Sequence, residues 1–314
     1  MTTLGLVDME QRGKVALFPS FGPGRGDLME FRRDLVKGTT ALLKSGSVDY
    51  EARLVPGPDG APDVRVIMFR PSEVKGAMPA ILYVHGGGMI AGTPDMQAGM
   101  LERLASQTGA LIVSVDYRLA PETPFPGGLE DVHAALVWLH DCAGALGVDP
   151  DRIMVMGDSG GGCLAAATAL LARDRGKVKL RAQVLIYPML DLRTGGADAP
   201  SDDPMTGEFV WTRTQNQYAW SAVRGDLAAD DPGFGYLSPA FMLDLSGLPP
   251  TFIVTGALDL FRDEDVTFAR RLWQAAVPTD LIVYANAVHG FDLLPSSLAE
   301  RVRHDVVKNV RRLL

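Results

Sequence analysis

Cysteine is scarce in this sequence, and the scarcity excludes two kinds of protein. Cys142 and Cys163 are the only cysteines among 314 residues. Two thiols are too few for a disulfide framework or for a zinc site built from cysteines. A chain with so few cysteines suits a reducing compartment, and we expect a cytoplasmic protein.

Targeting signals and long apolar runs are also missing. The first ten residues, MTTLGLVDME, contain neither the basic start nor the apolar core of a secretory signal. No uninterrupted apolar run approaches the roughly 18 residues that span a bilayer. We therefore expect no secretion through such a signal and no membrane partner.

Basic residues are fewer than acidic residues in this chain. The chain has 30 Lys and Arg residues against 38 Asp and Glu, a net charge of -8, which argues against nucleic acid as a partner. Hydrophobic residues make up 47% and charged residues 22% of the chain, an ordinary composition for a soluble enzyme. No Ser/Pro-rich or highly charged stretch divides the sequence, so one large core is expected.

Short β-like runs alternate with helical patterns along most of the chain. Runs after residue 80 are nearly continuous in Val, Ile and Leu, as in parallel strands buried on both faces, whereas the first two resemble an antiparallel entry. The pattern predicts an α/β fold with a mostly parallel, eight-stranded sheet flanked by helices. Strands are predicted at 48–55, 64–69, 80–85, 111–116, 153–157, 182–187, 251–255 and 281–284, and helices at 27–43, 95–107, 128–146, 161–174, 206–223, 262–276 and 296–313.

One junction between a predicted strand and a predicted helix carries a serine. Ser159 lies between the apolar run ending at Met156 and the helical pattern from Cys163, with Gly157 and Gly161 on either side. The spacing Gly-x-Ser-x-Gly is typical of a nucleophile elbow, although glycine and serine also cluster in ordinary turns. The start of the following helix favours the negative charge of an acyl-transfer intermediate.

Three consecutive glycines follow an earlier strand. The stretch His85-Gly-Gly-Gly comes directly after the run ending at Val84, and bare backbone amides in this place can form an oxyanion hole. Neither glycine cluster has the Lys-Ser/Thr of a phosphate-binding loop or the spacing of a dinucleotide fingerprint. We interpret the stretch as an oxyanion loop and His85 as a residue that fixes it.

The general base should be a histidine downstream of the nucleophile. Where this elbow occurs, the chain order is Ser, then Asp or Glu, then His, and only His289 and His304 follow Ser159. His304 lies in the amphipathic pattern of the last helix, where a solvated histidine is the simpler interpretation. His289 follows the last predicted strand, at the sheet edge where ligands bind, and is the predicted base.

The acid is expected on the loop after the preceding strand. Asp259 lies on that loop, whereas Asp263 and Asp265 fall in the start of the next helix. The helix dipole is a sufficient explanation for an acidic residue there. Asp259 is therefore the predicted acid, with Asp263 and Asp265 as the alternatives.

Together these motifs resemble the hormone-sensitive-lipase-like esterases of the α/β-hydrolase superfamily, over most of residues 79 to 300. The resemblance rests on HGGG, GDSGG, DYRLAPE, LGVDPDRI, LPP, DLFRDE and HGF, which occur here in the family's order. Met89 and Gly160 depart from it, since the family often has an aromatic residue and Ala there. The resemblance implies the triad Ser159, Asp259 and His289 and oxyanion donors at the amides of Gly87, Gly88 and Gly160.

The resemblance also implies a helical cap on an α/β-hydrolase fold. We expect residues 1–48 to form an N-terminal cap segment and residues 49–314 to form the catalytic domain, with a cap insertion at about 190–235. The long gap between Pro188 and Pro250 agrees with such an insertion. The side chains expected to enclose the pocket are Phe18, Phe21, Met205, Phe209 and Trp211; the alternative for some of the aromatic ones is that they only pack the cap onto the core.

The sequence therefore predicts a carboxylesterase that works through an acyl-enzyme. Ser159 attacks the ester, His289 transfers the proton, and Asp259 orients the imidazolium. The expected partner is a small ester with a short to medium acyl chain, no metal or cofactor is required, and the resemblance suggests that the chain can form a homodimer. The alternatives are a non-catalytic ligand receptor, disfavoured by the presence of His289, and a peptidase or transacylase with the same triad.

The choice between the candidate acids can be tested by two substitutions. Asp259→Asn should lower kcat for a nitrophenyl ester by about 10⁴-fold, because an amide disturbs the tautomer of the histidine. Asp263→Asn should cost much less. If the two variants exchange effects, Asp263 is the acid.

Overall fold

A central sheet organises the chain. The computed structural model describes residues 2–19, 21, 27–43, 50–72, 74 and 76–314. Within them, an eight-stranded sheet has the order β1-β2-β4-β3-β5-β6-β7-β8. The strands are β1 (Glu51–Val55), β2 (Val64–Phe69), β3 (Met78–Val84), β4 (Leu111–Asp116), β5 (Val148–Asp158), β6 (Gln183–Ile186), β7 (Thr251–Gly256) and β8 (Thr279–Tyr284).

The sheet is parallel except at one edge. The pairs β1–β2 and β2–β4 are antiparallel, and the pairs from β4–β3 to β7–β8 are parallel. Strands β3, β6 and β7 are buried along their whole length, as parallel strands covered on both faces should be. The predicted mostly parallel sheet and its antiparallel entry are confirmed; residues 48 and 49 of the first predicted strand lie outside the described residues.

Helices cover both faces of the sheet. One apolar layer contains residues of α3, α5 and α8, and the other contains residues of α2 and α9. This three-layer arrangement leaves the carboxyl ends of the parallel strands open on one edge. The helices are α1 (Leu28–Leu43), α2 (Ala98–Thr108), α3 (Gly127–Asp141), α4 (Ala143–Leu146), α5 (Gly160–Arg175), α6 (Arg213–Arg224), α7 (Phe234–Leu237), α8 (Arg262–Gln274) and α9 (Ser297–Leu313).

Two predicted helices differ most in their bounds from the helices in the structure. The helix predicted at 206–223 begins only at Arg213, because Thr212 and Gln215 form a capping box at that point. Val210, just before it, has a φ of 68°, outside the helical range. The helix predicted at 128–146 is divided into α3 and α4 at Cys142, whose ψ of 5° breaks the regular turn.

The junction of β5 and α5 depends on glycine. A Cβ on Gly157 would lie 2.2 Å from the carbonyl oxygen of Gly161, closer than any side chain can approach a backbone atom. The strand and the helix can therefore meet at this angle only without a side chain at that position. This close contact places the residue between them, Ser159, at the carboxyl edge of the sheet.

Two glycine substitutions should change stability in opposite directions. Gly157→Ala should lower the free energy of unfolding by about 1–3 kcal/mol or more, because the backbone must move to admit the methyl group. Gly38→Ala should raise it by about 0.5–1 kcal/mol, because Gly38 lies inside α1 with open space around its missing Cβ. Urea unfolding measures both; wild-type stability in the Gly157 variant would contradict the expected packing.

Candidate active site

Ser159 occupies a strained turn that its neighbours hold in place. It lies between β5 and α5 with φ 56° and ψ -122°, a conformation that costs a non-glycine residue about 1–3 kcal/mol. Its amide donates to the carbonyl of Ile186 at 2.9 Å, and its carbonyl accepts from the amide of Met189 at 3.0 Å. The predicted strand, tight turn and helix are thus present, and the turn directs the hydroxyl into the pocket.

The three residues predicted as a triad lie together. Ser159 Oγ is 2.9 Å from His289 Nε2, and His289 Nδ1 is 2.8 Å from Asp259 Oδ2. The other oxygen of Asp259 accepts from the amide of Phe261 at 2.9 Å. Asp259 is completely buried, and 5% of Ser159 and of His289 is exposed. With Nδ1 protonated toward Asp259, Nε2 is free to accept the serine proton.

The alternative residues lie elsewhere. Asp263 makes an ion pair with Arg262 and accepts from Ser201. Asp265 is buried in the first turn of α8, where burial raises the pKa of its carboxyl well above the ordinary value. His304 lies on an exposed part of α9. No hydrogen bond described for this chain joins His289 to any of these three residues; the partners of its ring are Ser159 and Asp259.

Aromatic rings surround the imidazole of His289. The ring of Tyr187 meets it edge to face with centroids 4.7 Å apart, and the ring of Phe261 does so at 5.1 Å. Trp211 lies further away, at 6.4 Å. Such contacts fix the ring plane and exclude water from the hydrogen bonds between base and acid.

The predicted oxyanion residues converge beside the serine. A Cβ on Gly160 would lie 2.7 Å from the amide nitrogen of Met89, and a Cβ on Gly88 would lie 2.4 Å from the ring of Trp211. Among the described residues, no backbone hydrogen bond occupies the amide of Gly87 or Gly88. Gly160 is the first residue of α5, so its amide has no intrahelical acceptor.

Contacts of the buried His85 hold the loop that carries these glycines. His85 is completely buried, its Nδ1 is 2.9 Å from the carbonyl oxygen of Gly86, and its ring stacks on Tyr117 at 4.4 Å. The Tyr117 hydroxyl donates to the carbonyl of His85 at 2.9 Å. Burial lowers the pKa of His85, which keeps the ring neutral. These contacts agree with the structural role inferred for His85.

A buried carboxyl supports the same loop. Asp158 accepts from the Tyr83 hydroxyl at 2.7 Å and from Gln97 Nε2 at 3.3 Å. A Cβ on Gly86 would lie 2.5 Å from Oδ2 of Asp158. Burial raises the pKa of Asp158 to about 7, against the smaller opposing effect of the Tyr83 hydrogen bond. The carboxyl therefore exchanges its proton near neutral pH.

The pocket over Ser159 is enclosed by two separate parts of the chain. Phe18, Phe31 and Leu35 come from the N-terminal segment, Val210 and Trp211 come from the stretch before α6, and the empty volume is about 510 Å³ with its mouth included. The remaining sequence-predicted pocket residues lie elsewhere. Phe21 packs between Phe31 and Tyr218, Phe209 packs against a separate apolar cluster, and Met205 is 40% exposed.

Arg32 attaches helix α1 to the loop that follows the glycines. Its Nε donates to the carbonyl of Ile90 at 2.7 Å, and its Nη2 donates to the carbonyl of Ala120 at 2.9 Å. The same guanidinium pairs with both oxygens of Glu122. The sequence analysis did not identify Arg32, because its acceptors at Ile90 and Ala120 are backbone groups that no motif marks.

The part of the chain that the structure describes contains neither a metal-binding cluster nor a membrane-spanning helix. No cluster of three or more His, Cys, Asp or Glu side chains in this part of the chain is arranged to hold a metal ion. Within the same residues, no helix is both long and apolar enough to span a bilayer.

Comparison with known proteins agrees with this geometry. A family model described as the alpha/beta hydrolase fold matches residues 81–293. The carboxylesterase NlhH of Mycobacterium tuberculosis is 40% identical over 242 residues, covering 75% of this chain and 73% of that protein. An arylesterase of Saccharolobus solfataricus is 37% identical over 212 residues, covering 67% of each chain. The solved structure of a bacterial heroin esterase superposes with a TM-score of 0.89 at 34% identity, covering 100% of this chain and 99% of that one.

The chain belongs to the α/β-hydrolase family, in its hormone-sensitive-lipase-like branch of esterases. The resemblance inferred from the motifs and the predicted α/β-hydrolase fold are both confirmed.

The buried Asp158 should make stability depend on pH. Its pKa is raised from 3.8 to about 7, so the folded state holds a proton that the unfolded chain releases, and its contribution to stability is lost as pH rises from about 4 to about 7. Asp158→Asn stays neutral while its amide oxygen can still accept from Tyr83. The variant should gain stability relative to wild type across this window, on the order of 3 kcal/mol at most.

The gain is measured by urea unfolding at pH 4.5, 6 and 8. The control is Asp149→Asn at the protein surface, where the hydrogen bond from Arg152 lowers the pKa of the carboxyl, so no gain with pH is expected. A constant difference between the Asp158 variant and wild type at the three pH values would show that this carboxyl does not titrate there.

Proposed function

We propose that this protein hydrolyses carboxylic esters through the triad Ser159, His289 and Asp259. The observation that carries the proposal is the continuous set of hydrogen bonds from Ser159 Oγ through His289 to the buried Asp259. It lies at a strained elbow beside the amides of Gly87 and Gly88, for which the described part of the chain provides no backbone acceptor. Nucleophile, base and acid are thereby arranged for acyl transfer.

The reaction follows from the positions of these groups. Ser159 Oγ attacks the ester carbonyl carbon while its proton passes to His289 Nε2, and Asp259 stabilises the imidazolium. The amides of Gly87, Gly88 and Gly160 stabilise the negative oxygen of the tetrahedral intermediate. The intermediate collapses, and the alcohol leaves with the proton from Nε2. Water then attacks the acyl carbonyl carbon while its proton passes to His289 Nε2. When this second intermediate collapses, the carboxylic acid leaves and Ser159 Oγ takes the proton back.

The relatives support ester bonds as the substrate class. Their printed names are carboxylesterase, arylesterase and heroin esterase, and the chain shares their fold over most of its length. Carboxylic-ester hydrolysis is the activity of this branch, and His289 in place disfavours a non-catalytic receptor. The cytoplasmic location and the homodimer inferred from the sequence stay predictions.

The pocket supports a small acyl group. Phe31 and Leu35 of α1 and Trp211 of the insertion close over Ser159 from two sides, and we assign residues 1–48 and about 190–235 to a cap on a catalytic domain of residues 49–314. The boundary at residue 48 lies outside the described residues. An enclosed apolar pocket gains binding free energy with each methylene until it is full, about 0.8 kcal/mol per buried CH₂.

The proposal is tested with nitrophenyl esters from acetate to palmitate. We expect kcat/KM to rise with acyl length, reach a maximum at short to medium chains and then fall, with no jump in rate above the solubility limit of the substrate. Ser159→Ala should be folded by circular dichroism and inactive on all esters, because the hydroxyl is the nucleophile. Substantial activity in that variant would refute the triad; a preference for palmitate, or a jump in rate at droplets, would refute the enclosed pocket.

A further inference from the structure

The segment of residues 186–189, which begins with the last residue of β6, holds the backbone of Ser159 by two hydrogen bonds. Ile186 accepts the hydrogen bond from the Ser159 amide, and Met189 donates one to the Ser159 carbonyl. Pro188 lies against the start of α5, where a Cβ on Gly162 would be 2.8 Å from the Pro188 side chain. The backbone of the elbow is therefore fixed to this segment.

The same segment contacts the base through Tyr187. Its ring meets the imidazole of His289 edge to face at 4.7 Å, and it lines the pocket over Ser159. Tyr187 is 1% exposed and has a φ of 36°. A bulky residue keeps this left-handed conformation only where its surroundings enforce it.

Asp292 anchors the far end of Tyr187. The tyrosine hydroxyl donates to Asp292 Oδ1 at 2.5 Å, in a buried position three residues after His289. The carbonyl of Asp292 accepts in turn from Arg303 of α9 at 2.6 Å. The loop that carries the base is thus attached, through one side chain, to the segment that carries the nucleophile's hydrogen bonds.

We propose that Tyr187 and Asp292 are positioning residues that set the separation of Ser159 Oγ and His289 Nε2. The proposal rests on the proposed function. The bond between hydroxyl and carboxyl fixes the tyrosine ring, and the ring limits the tilt of the imidazole, so that Nε2 faces the serine hydroxyl at 2.9 Å. A displacement of about 1 Å in such a group can cost about 100-fold in rate.

Asp292 serves here as an acceptor of one hydrogen bond. Asparagine has an amide oxygen in the same place and can accept from Tyr187, whereas alanine cannot. The acceptor role therefore predicts that asparagine restores what alanine removes. A role for the carboxylate charge would leave both variants impaired.

Tyr284 offers a matched control. Its hydroxyl donates to a carboxylate, Asp305 Oδ2, at 2.7 Å, and its ring packs against Phe291 at 5.6 Å. Tyr187 packs against the same phenylalanine at 5.5 Å. The ring contacts of His289 in the described chain involve Tyr187, Trp211 and Phe261, so Tyr284 has the same chemistry without the contact to the base.

The experiment compares Tyr187→Phe, Asp292→Ala, Asp292→Asn and Tyr284→Phe. We measure kcat and KM for nitrophenyl butyrate, and each kcat is expressed per serine titrated to completion with diethyl nitrophenyl phosphate. Tyr187→Phe and Asp292→Ala should lower kcat about 10- to 100-fold with KM within about threefold of wild type. Asp292→Asn and Tyr284→Phe should stay within about threefold of wild type in both constants.

Three outcomes would overturn the proposal. They are an unchanged kcat in Tyr187→Phe, a change in KM alone, and an Asp292→Asn variant as impaired as Asp292→Ala. Counting only titrated serines keeps the comparison valid where part of a variant is unfolded, and melting temperatures of Tyr187→Phe and Tyr284→Phe reveal any difference in stability. A failure of the proposed function is separate, because it would appear as phosphate labelling at a residue other than Ser159 or as activity in Ser159→Ala.

Discussion

The close approach of backbone at the nucleophile elbow is the constraint on which the rest of the site depends. The three glycines that open α5 each meet a different part of the chain at a distance that excludes a side chain. Gly160 lies against Gly88 and Met89, Gly161 against the carbonyl of Val84, and Gly162 against Pro188. The start of one helix therefore fixes the oxyanion loop, the end of β3 and the segment after β6 relative to Ser159. The glycine at 160, where the family often has alanine, fits this crowding.

Burial raises the pKa values of two carboxyl groups near the site. Burial raises the pKa of Asp158 to about 7 and also raises the pKa of Asp292. Each carboxyl accepts a tyrosine hydroxyl, from Tyr83 and Tyr187 respectively, and either protonation state can accept such a bond. The supporting carboxyls therefore act by shape and hydrogen bonding, while Asp259 has His289 as its charged partner when the imidazolium forms.

The cap and the catalytic layer are joined by polar contacts as well as by apolar packing. Arg32 connects α1 to the carbonyl groups of Ile90 and Ala120, next to the loop that carries the predicted oxyanion amides. Neighbouring Phe31 lines the pocket. The position of the cap helix and the shape of the oxyanion loop are therefore coupled, which links enclosure of a substrate to the groups that stabilise its reaction.

Local sequence patterns predicted the sheet, the elbow and the candidate triad: apolar runs indicate parallel strands, glycine spacing indicates the turn, and chain order indicates Asp259 and His289. The sequence prediction missed the start of the helix predicted at 206–223, which the capping box of Thr212 and Gln215 sets at Arg213. It also assigned pocket roles to Phe21, Met205 and Phe209 that the packing does not give them.

The side chains that support the site could be identified only from the folded chain. Tyr187 and Asp292 are 105 residues apart, and Arg32 reaches backbone carbonyls 58 and 88 residues away. No spacing in the sequence marks such pairs, because their distance is set by how strands and loops stack after folding. Local sequence patterns indicate the candidate reacting groups, and long-range packing sets the distances between them.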